Sequence, residues 1–412
     1  MKLSYFLINQ KLHVALLIIF VVTLPFPMII NNPIIVCLAA NWLLGFDFKT
    51  KLSRLKENIL FFLFASIFIL QPIGLLWTDD IPDGLFSIEK TLSLFLFPLV
   101  LATSQKLSNS QVRLILKAFV ASCIVATGYC IAVAIHKNYQ LCQFQWIHWN
   151  HYTIEMSYPL GMSHVYLGLF LSFAFFIVSY LFITKENKKV WDYIFLALLL
   201  SYLVAFVVII TSKIAFVSLL ILSLVCSLIL FKRKLIVFSV IFLAFAIIVT
   251  VMQKHIPLIT KRAIEVFDIS SEPNSAHSFY YSQRMATIDC SWKLIKENWV
   301  IGVGTGDSFH LLNNCYEQKG IPEFKGLDTH NQYFDFLLTF GIGGLLLFFA
   351  CLFIPLYLAI KEKQFLYIIF LCHFMICGLT ENLLDNNKGI VFYAFFNSLL
   401  AFNTLKRVNE KV

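Results

Sequence analysis

The sequence predicts an all-α polytopic membrane protein with about twelve transmembrane helices and one large outer loop. Of the 412 residues, 59% are hydrophobic and only 13% are charged, and 43 are phenylalanine. A soluble chain of this length cannot bury so much apolar surface, and soluble domains are about 25% charged. Apolar runs of about 20 residues, the length of a spanning helix, recur along the chain. The segments between these runs alternate between basic and polar or acidic.

The predicted spans are 12–30, 33–47, 59–77, 88–104, 114–135, 163–184, 191–210, 214–231, 235–252, 332–360, 364–380 and 388–405. If the N-terminus is cytoplasmic, every inner segment is basic, as the positive-inside rule requires. The first run has no small-residue cleavage site and is interpreted as a retained span. Both termini are therefore expected in the cytoplasm.

This topology divides the chain into residues 1–252 with nine spans, a large outer loop at 253–331, and residues 332–412 with three spans and a cytoplasmic tail. Within the loop, an amphipathic helix is predicted from Ser282 as N-cap. Its apolar face contains Met285, Ile288, Trp292 and Ile295. We expect this helix to lie along the outer membrane surface.

The net charge of +9 does not indicate nucleic-acid binding, because Lys and Arg cluster in the inner loops. Most of the ten cysteines lie in apolar runs, where they are small buried hydrophobes. Cys290 and Cys315 share the outer loop and can pair in an oxidising compartment. His373 and Cys377 share a helix face, but two ligands do not complete a tetrahedral metal site. His148 and His151 lie among aromatics and indicate an interfacial belt in preference to a metal site.

His330 and Asn331, in GLDTHNQYFDFLLTFGIGG, lie where the outer loop meets an apolar run. A lone histidine there is usually a polar group at the interface. Its polar neighbours and the N-terminal end of the following helix favour a different interpretation. The helix end is expected to depress the imidazole pKa, and a neutral imidazole can serve as a general base. The glycines that follow are expected to allow close helix packing.

Three isolated cations lie on the outer side: Arg284, Arg262 and Lys213. Each is either a contact to a lipid phosphate or part of a clamp for a phosphorylated substrate. Glu381, at the outer end of a span, is a surface acid or a functional one. Gly302 and Gly304 in IGVGTGDSF form either a tight turn or a backbone cradle for an anion.

Several of these features follow one another in a particular order along the chain. Ser212-Lys213 is followed by SQRM, then by WVIGVGTG, THNQYFDFLLTFGIGG and TENLLDNNKG. This order resembles the O-antigen ligase and polymerase superfamily of bacterial envelope glycosyltransferases, over residues 160–405 and most strongly over 284–344. The family has an arginine after the serine, where this chain has Lys213, and lysine lacks the bidentate geometry of arginine.

The resemblance implies a metal-independent, cofactor-free inverting glycosyltransferase of GT-C-like architecture in the bacterial inner membrane. It would act at the periplasmic face, which makes the outer loop at 253–331 a periplasmic loop. The donor would be a glycan on undecaprenyl pyrophosphate, and the acceptor lipid A–core or another glycolipid, in lipopolysaccharide biosynthesis. His330 matches the family's catalytic histidine and Arg284 a pyrophosphate-binding arginine. Lys213 and Arg262 would assist, with Asn331, Gly302, Gly304 and Glu381 in supporting roles.

Two other functions compete with the ligase. A polysaccharide polymerase uses similar chemistry to join lipid-linked repeats, and the acceptor pocket that would separate the two is not evident in the sequence. A lipid-linked glycan flippase is a rival of another class. It is disfavoured, because transporters place charged residues within their spans and these apolar runs contain few.

Overall fold

The computed structural model describes residues 2–45, 47–140, 154–229 and 276–405. These residues are all-helical, which confirms the predicted fold class, and they contain no strand. The helices up to the central gap are α1 Lys2–Thr23, α2 Met28–Leu44, α3 Phe48–Lys56, α4 Ile59–Gly74, α5 Ile81–Thr91, α6 Ser93–Thr103, α7 Asn109–Gln140, α8 His164–Ile183, α9 Val190–Ile209 and α10 Lys213–Ile229. The later helices are α11 Ala276–Asn298, α12 Ser308–Gln318, α13 Gln332–Lys361, α14 Phe365–Cys377 and α15 Asn387–Thr404.

Six helices among the described residues are long and apolar enough to cross a membrane: Ile59–Trp77, Ile81–Thr103, Asn109–Lys137, His164–Ile183, Val190–Ile209 and Gln332–Lys361. Each contains or closely matches one predicted span. The bent pair α2 and α3 adds a seventh if it is one span. The protein is therefore a multi-pass membrane protein, and the count of twelve stays a prediction.

The remaining predicted spans differ from the structure in their bounds. The first, 12–30, is wrong at its outer end, because α1 stops at Thr23 and Pro27 precedes α2. Spans 214–231 and 364–380 correspond to the shorter apolar helices Lys213–Ser227 and Phe365–Cys377. The span 388–405 corresponds to α15, and 235–252 lies outside the described residues.

The described residues form two compact units. The first contains residues 2–45 and 107–229, with α8 at its centre, where Phe170 and Phe173 pack against Phe119 of α7. The second contains 47–106 and 276–405 and holds the candidate site.

In the second unit, α15 is the central helix. Its side chains from Lys388 to Ala401 are all buried, mainly by packing against α6 and α14. Aromatic rings supply many of these contacts, such as Phe395 against Phe97 of α6 and Phe392 against Phe370 of α14. The polar residues at the start of α15 are therefore held next to the candidate site by a rigid aromatic core.

A small second core lies outside this bundle. Cys290 and Leu294 of α11 pack with Leu312 and Tyr316 of α12 and with Leu338 of α13. The Cys290–Cys315 disulfide joins α11 to α12 within it, with a Cα–Cα distance of 5.9 Å. The pairing that the sequence left open is therefore present in the structure.

Helix α11 differs from its prediction in its start. Ser282 lies inside the helix, so it is not the N-cap. The ring of Trp292 stacks on Phe334 at 6.0 Å, and the Trp299 carbonyl accepts a hydrogen bond from Ile342 N–H at 2.8 Å. The step from Trp292 to Trp299 is seven residues, and the matching step from Phe334 to Ile342 is eight. Helix α11 therefore runs alongside the spanning helix α13 in the same direction. The prediction that α11 lies along the membrane surface stays a prediction.

Helix α13 is broken at Gly341, which has a φ of 65°. A Cβ there would lie 2.3 Å from the Val300 carbonyl oxygen, so only glycine fits. The prediction that the glycines of GIGG allow close packing of helices therefore needs correction. The nearest atoms to a Cβ on Gly341 would be backbone atoms of Val300 and Ile301 in the segment after α11, while a Cβ on Gly343 would have nothing within 4 Å.

Candidate active site

His330 lies on a tight turn just before α13. Its φ of 47° is in the left-handed region, which is uncommon for a residue with a Cβ. The Asp328 carboxylate stabilises this turn, because its Oδ1 accepts a hydrogen bond from the His330 N–H at 2.7 Å. Strained backbone of this kind persists only where surrounding contacts hold it, and it is common at functional sites.

The imidazole of His330 lies against two carboxylates. Nδ1 is 3.3 Å from Asp328 Oδ1 and 3.6 Å from Glu381 Oε2. Nδ1 is buried and has no well-aligned hydrogen bond, so at these distances the attraction to the carboxylates is mainly electrostatic. The side chain is 31% exposed, so the rest of the ring can reach solvent or a substrate.

The pKa of His330 is raised above its usual value. The largest cause is the interaction of the ring with the Glu381 carboxylate, and the charge of Asp328 adds to it. Burial and the positive charge of Arg284 act in the opposite direction. The predicted depression of this pKa is therefore wrong, because two nearby carboxylates outweigh the helix end.

Asp328 is an ionisable group that the sequence analysis did not single out. Burial raises its pKa, although His330 favours the charged form of the carboxyl. Its presence two residues before the histidine is visible in the sequence. Only the left-handed backbone at His330 turns the ring back towards it, and no spacing rule indicates that turn.

Asn331 fixes the start of α13. Its Oδ1 accepts hydrogen bonds from the N–H groups of Tyr333 and Phe334, which makes it the N-cap. Its Nδ2 donates to the carbonyl of Leu379, and its N–H donates to Asn382 Oδ1 at 2.8 Å. Asn331 therefore has a structural role: it ties the turn that contains His330 to the segment that contains Glu381.

Gln332 and Thr329 make further ties to the same segment. Gln332 N–H donates to the Gly378 carbonyl, and its Oε1 accepts from Leu384 N–H. The Thr329 hydroxyl donates to Asn382 Oδ1 at 2.8 Å. Asn382 is thus a second residue that sequence reasoning missed, and its only signal is its position beside Glu381. These bonds set the distance between His330 and Glu381.

Arg284 is exposed on α11, and its charge is felt at His330. The structure therefore brings Arg284, His330 and Glu381 together in the second unit, although they are far apart in sequence. Lys90 of α5 forms an ion pair with Asp385 at the edge of the same region. The site thus contains a titratable base, flanking carboxylates and an exposed guanidinium.

Gly302 and Gly304 belong to a turn with positive φ values of 82° and 97°. The N–H groups of Gly302, Val303 and Gly304 donate to the carbonyls of Asn298, Leu338 and Thr339. Because these donors are used within the protein, the turn is no anion cradle. It joins α11 to the break in α13, and Asp307 beyond it accepts hydrogen bonds from Asp79 and Asp80 N–H.

The remaining predicted residues lie outside the described residues of the second unit. Lys213 is the first residue of α10 in the first unit, after Ser212, which is buried against Gly168. Arg262, His148 and His151 lie outside the described residues. Within the ranges that the structure describes, no group of three or more His, Cys, Asp or Glu side chains could hold a metal ion.

Fold and site together define a multi-pass membrane protein with a polar, titratable centre at one end of a spanning helix. Residues 197–349 match the family model described as Wzy_C, O-antigen ligase. This match confirms the resemblance to the O-antigen ligase superfamily over these residues. The matched range contains Lys213, Arg284 and His330 but not Glu381. No curated protein matches the chain.

The matched domain supports a membrane enzyme of the O-antigen ligase and polymerase type. The family implies glycosyltransferase-like chemistry, with lipid-linked glycan and glycolipid partners in general.

Proposed function

We propose that the protein transfers a glycan from undecaprenyl pyrophosphate to a sugar hydroxyl of lipid A–core at the periplasmic face. The observation that supports this most directly is the placement of His330 between Asp328 and Glu381, with Arg284 near enough to influence its charge. The family domain surrounds the histidine and the arginine. The disulfide at Cys290 also supports an oxidising compartment for this side of the protein.

The reaction follows from the charges around the ring. The carboxylates at Nδ1 hold the ring proton on that atom, which leaves Nε2 with the lone pair. Nε2 removes the proton from the acceptor hydroxyl as its oxygen attacks the anomeric carbon. The bond from that carbon to the phosphate oxygen breaks, and the electron pair leaves with the lipid pyrophosphate. Arg284 binds the pyrophosphate and offsets its charge, and attack from the opposite face inverts the anomeric centre.

Transfer in vitro from a defined undecaprenyl-pyrophosphate glycan to purified lipid A–core tests the assignment. His330→Ala should abolish transfer, because general base catalysis contributes about 10²–10⁴-fold and positioning is lost as well. His310→Ala is the matched control, because His310 is an exposed histidine of α12. Full transfer by His330→Ala would refute the role of the histidine.

Arg284→Ala should raise KM for the donor and leave KM for the acceptor unchanged, because the arginine is assigned to the pyrophosphate. Arg284→Lys should recover part of the loss, since lysine keeps the charge without the bidentate geometry. Lys293→Ala on the same helix is the control, because Lys293 is also exposed. A change confined to the acceptor KM would contradict this role.

A deletion strain separates ligase from polymerase. Loss of a ligase leaves lipopolysaccharide with a bare core while lipid-linked polymer accumulates. Loss of a polymerase leaves core that is capped by a single repeat. The second pattern would replace the ligase by a polymerase with the same site chemistry.

A further inference from the structure

Asp335 is the only acidic residue of α13, and the reaction proposed above does not use it. A carboxyl group in a spanning helix is costly, so its presence there favours a functional role. The half-buried side chain lies in the first turn of α13. It lines a cavity of about 40 Å³ together with Lys90 of α5, whose ammonium forms the ion pair with Asp385. A nearby cation therefore offsets part of the cost of this carboxyl group.

Both oxygens of the Asp335 carboxyl group accept hydrogen bonds from side-chain amides. Oδ1 accepts from Asn382 Nδ2 at 3.3 Å, and Oδ2 accepts from Gln332 Nε2 at 3.4 Å. Gln332 is on the same helix, whereas Asn382 lies between α14 and α15. These distances exceed the usual range for N–H···O bonds, so each bond contributes little energy. Their consequence is directional, because they leave each amide only one way round.

The oxygen end of each amide ties the start of α13 to the segment before α15. Asn382 Oδ1 accepts from the Asn331 N–H and from the Thr329 hydroxyl, both at 2.8 Å. Gln332 Oε1 accepts from the Leu384 N–H. Each amide therefore needs its oxygen on the side of the tie and its NH₂ group on the side of the carboxyl group. Turning either amide over would break its tie.

We propose that Asp335 is a positioning residue for the reaction, because its carboxyl group fixes the orientation of the two amides that hold Glu381 beside the ring of His330. In either protonation state both carboxyl oxygens have lone pairs and can accept, whereas one end of a carboxamide can only donate. The inference rests on the proposed function, in which the ring is the general base.

Asp335→Asn creates a conflict of donors with almost no change in shape. The introduced NH₂ group would face the NH₂ group of either Gln332 or Asn382, and neither can accept. One of the two amides would have to turn over and lose its tie. Adding Gln332→Glu removes the conflict, because one oxygen of the new carboxyl group accepts from Leu384 N–H and the other accepts from the introduced amide.

The pKa of His330 can be measured without glycan transfer. Only a neutral imidazole reacts with diethyl pyrocarbonate, so labelling of His330 across pH, read by peptide mass spectrometry, gives this pKa. The charges around the ring are Asp328 on the same turn, Glu381 before α15 and Arg284 on α11. Asp335→Asn should move the labelling curve to lower pH, towards that of Glu381→Gln, because the carboxylate that raises the pKa most is released.

Two double variants separate positioning from a direct effect of charge. In Asp335→Asn with Gln332→Glu, donors and acceptors match again, so labelling and transfer should return towards wild type. In Asp335→Asn with Glu381→Gln, the curve should not shift beyond that of Glu381→Gln alone, because positioning acts through a carboxylate that is already absent. Asp335→Asn alone should slow transfer by up to about 10²-fold, the effect of misplacing a group by about 1 Å. His310, exposed on α12, is the internal control, and its labelling should not change.

Three results would overturn the proposal. An undiminished further shift in the Glu381→Gln background would mean that Asp335 acts directly through its charge. A double variant with Gln332→Glu that is as impaired as Asp335→Asn would refute the arrangement of donors and acceptors. Unchanged labelling in Asp335→Asn would mean that the amides hold without the carboxyl group.

Two further outcomes keep the test decisive. If Asp335→Asn yields no folded protein, recovery of folded protein on adding Gln332→Glu supports the proposal, and no recovery overturns it. Wild-type protein that transfers no glycan but shows the expected labelling pattern would refute the proposed function, while the positioning of the ring of His330 by Asp335 would remain supported.

Discussion

Gly341→Ala should destabilise the protein strongly, because it affects the junction of α11 and α13. Alanine at a φ of 65° is strained by about 1–2 kcal/mol. Its Cβ would also lie 2.3 Å from the Val300 carbonyl oxygen, and moving that backbone costs about 1–3 kcal/mol more. The expected loss is therefore about 2–5 kcal/mol.

Gly343→Ala provides a matched control in the same helix. Its φ is not positive, and its Cβ would meet nothing within 4 Å. Alanine there should be neutral or should stabilise by about 0.5–1 kcal/mol, through its higher helix propensity. The two alanines thus have opposite expected effects only two residues apart.

Thermal unfolding of the purified variants in one detergent distinguishes them. Gly341→Ala should lower Tm by at least about 4 °C, since 1 kcal/mol corresponds to about 2–4 °C for units of this size. Gly343→Ala should unfold at or above the wild-type temperature. Equal Tm values for the two variants would refute the close approach of Val300 to the break.

Three further predictions concern the site and its supports. Glu381→Gln should lower the pKa of His330. Because the base form exists only above that pKa, the acid limb of the kcat/KM profile should move to lower pH, and an unmoved limb would refute the contact. Asp307→Ala removes the acceptor for two backbone N–H groups and should cost about 1–3 kcal/mol in unfolding measurements, whereas no loss would contradict that role. Cys290→Ser opens a 25-residue loop and should lower the free energy of unfolding by about 3–4 kcal/mol. If reduction and alkylation left the electrophoretic mobility of the wild type unchanged, this would argue against the bridge.

Much of the fold could be predicted from the sequence. Spans such as His164–Ile183 are uniform apolar runs of the right length between polar segments, so hydropathy alone locates them. The start and direction of α11 could not be predicted in this way. Its residues Met285, Ile288 and Trp292 are apolar at helical spacing, which predicts an apolar face, yet the structure leaves these side chains exposed.

For the site, the sequence was a better guide to which residues take part than to how they interact. His330 and Arg284 were identified through an ordered set of motifs, and the structure brings them into one unit. The direction of the His330 pKa shift was not predictable, because it depends on Asp328 and Glu381, and Glu381 approaches only through tertiary contacts. Similarly, GIGG contains three glycines, and only the position of Val300 selects Gly341 as the break.

The Cys290–Cys315 bridge also has a consequence for the order in which the protein matures. Cytosolic thiol pools keep such pairs reduced, so the bridge cannot close while its cysteines are in the cytosol. Helix α11 can be fastened to α12 only after both have reached an oxidising compartment. The helix that positions Arg284 would then acquire its final rigidity as a late step of biogenesis, after membrane insertion. Newly made enzyme would remain immature until it reaches the side where an oxidant is present.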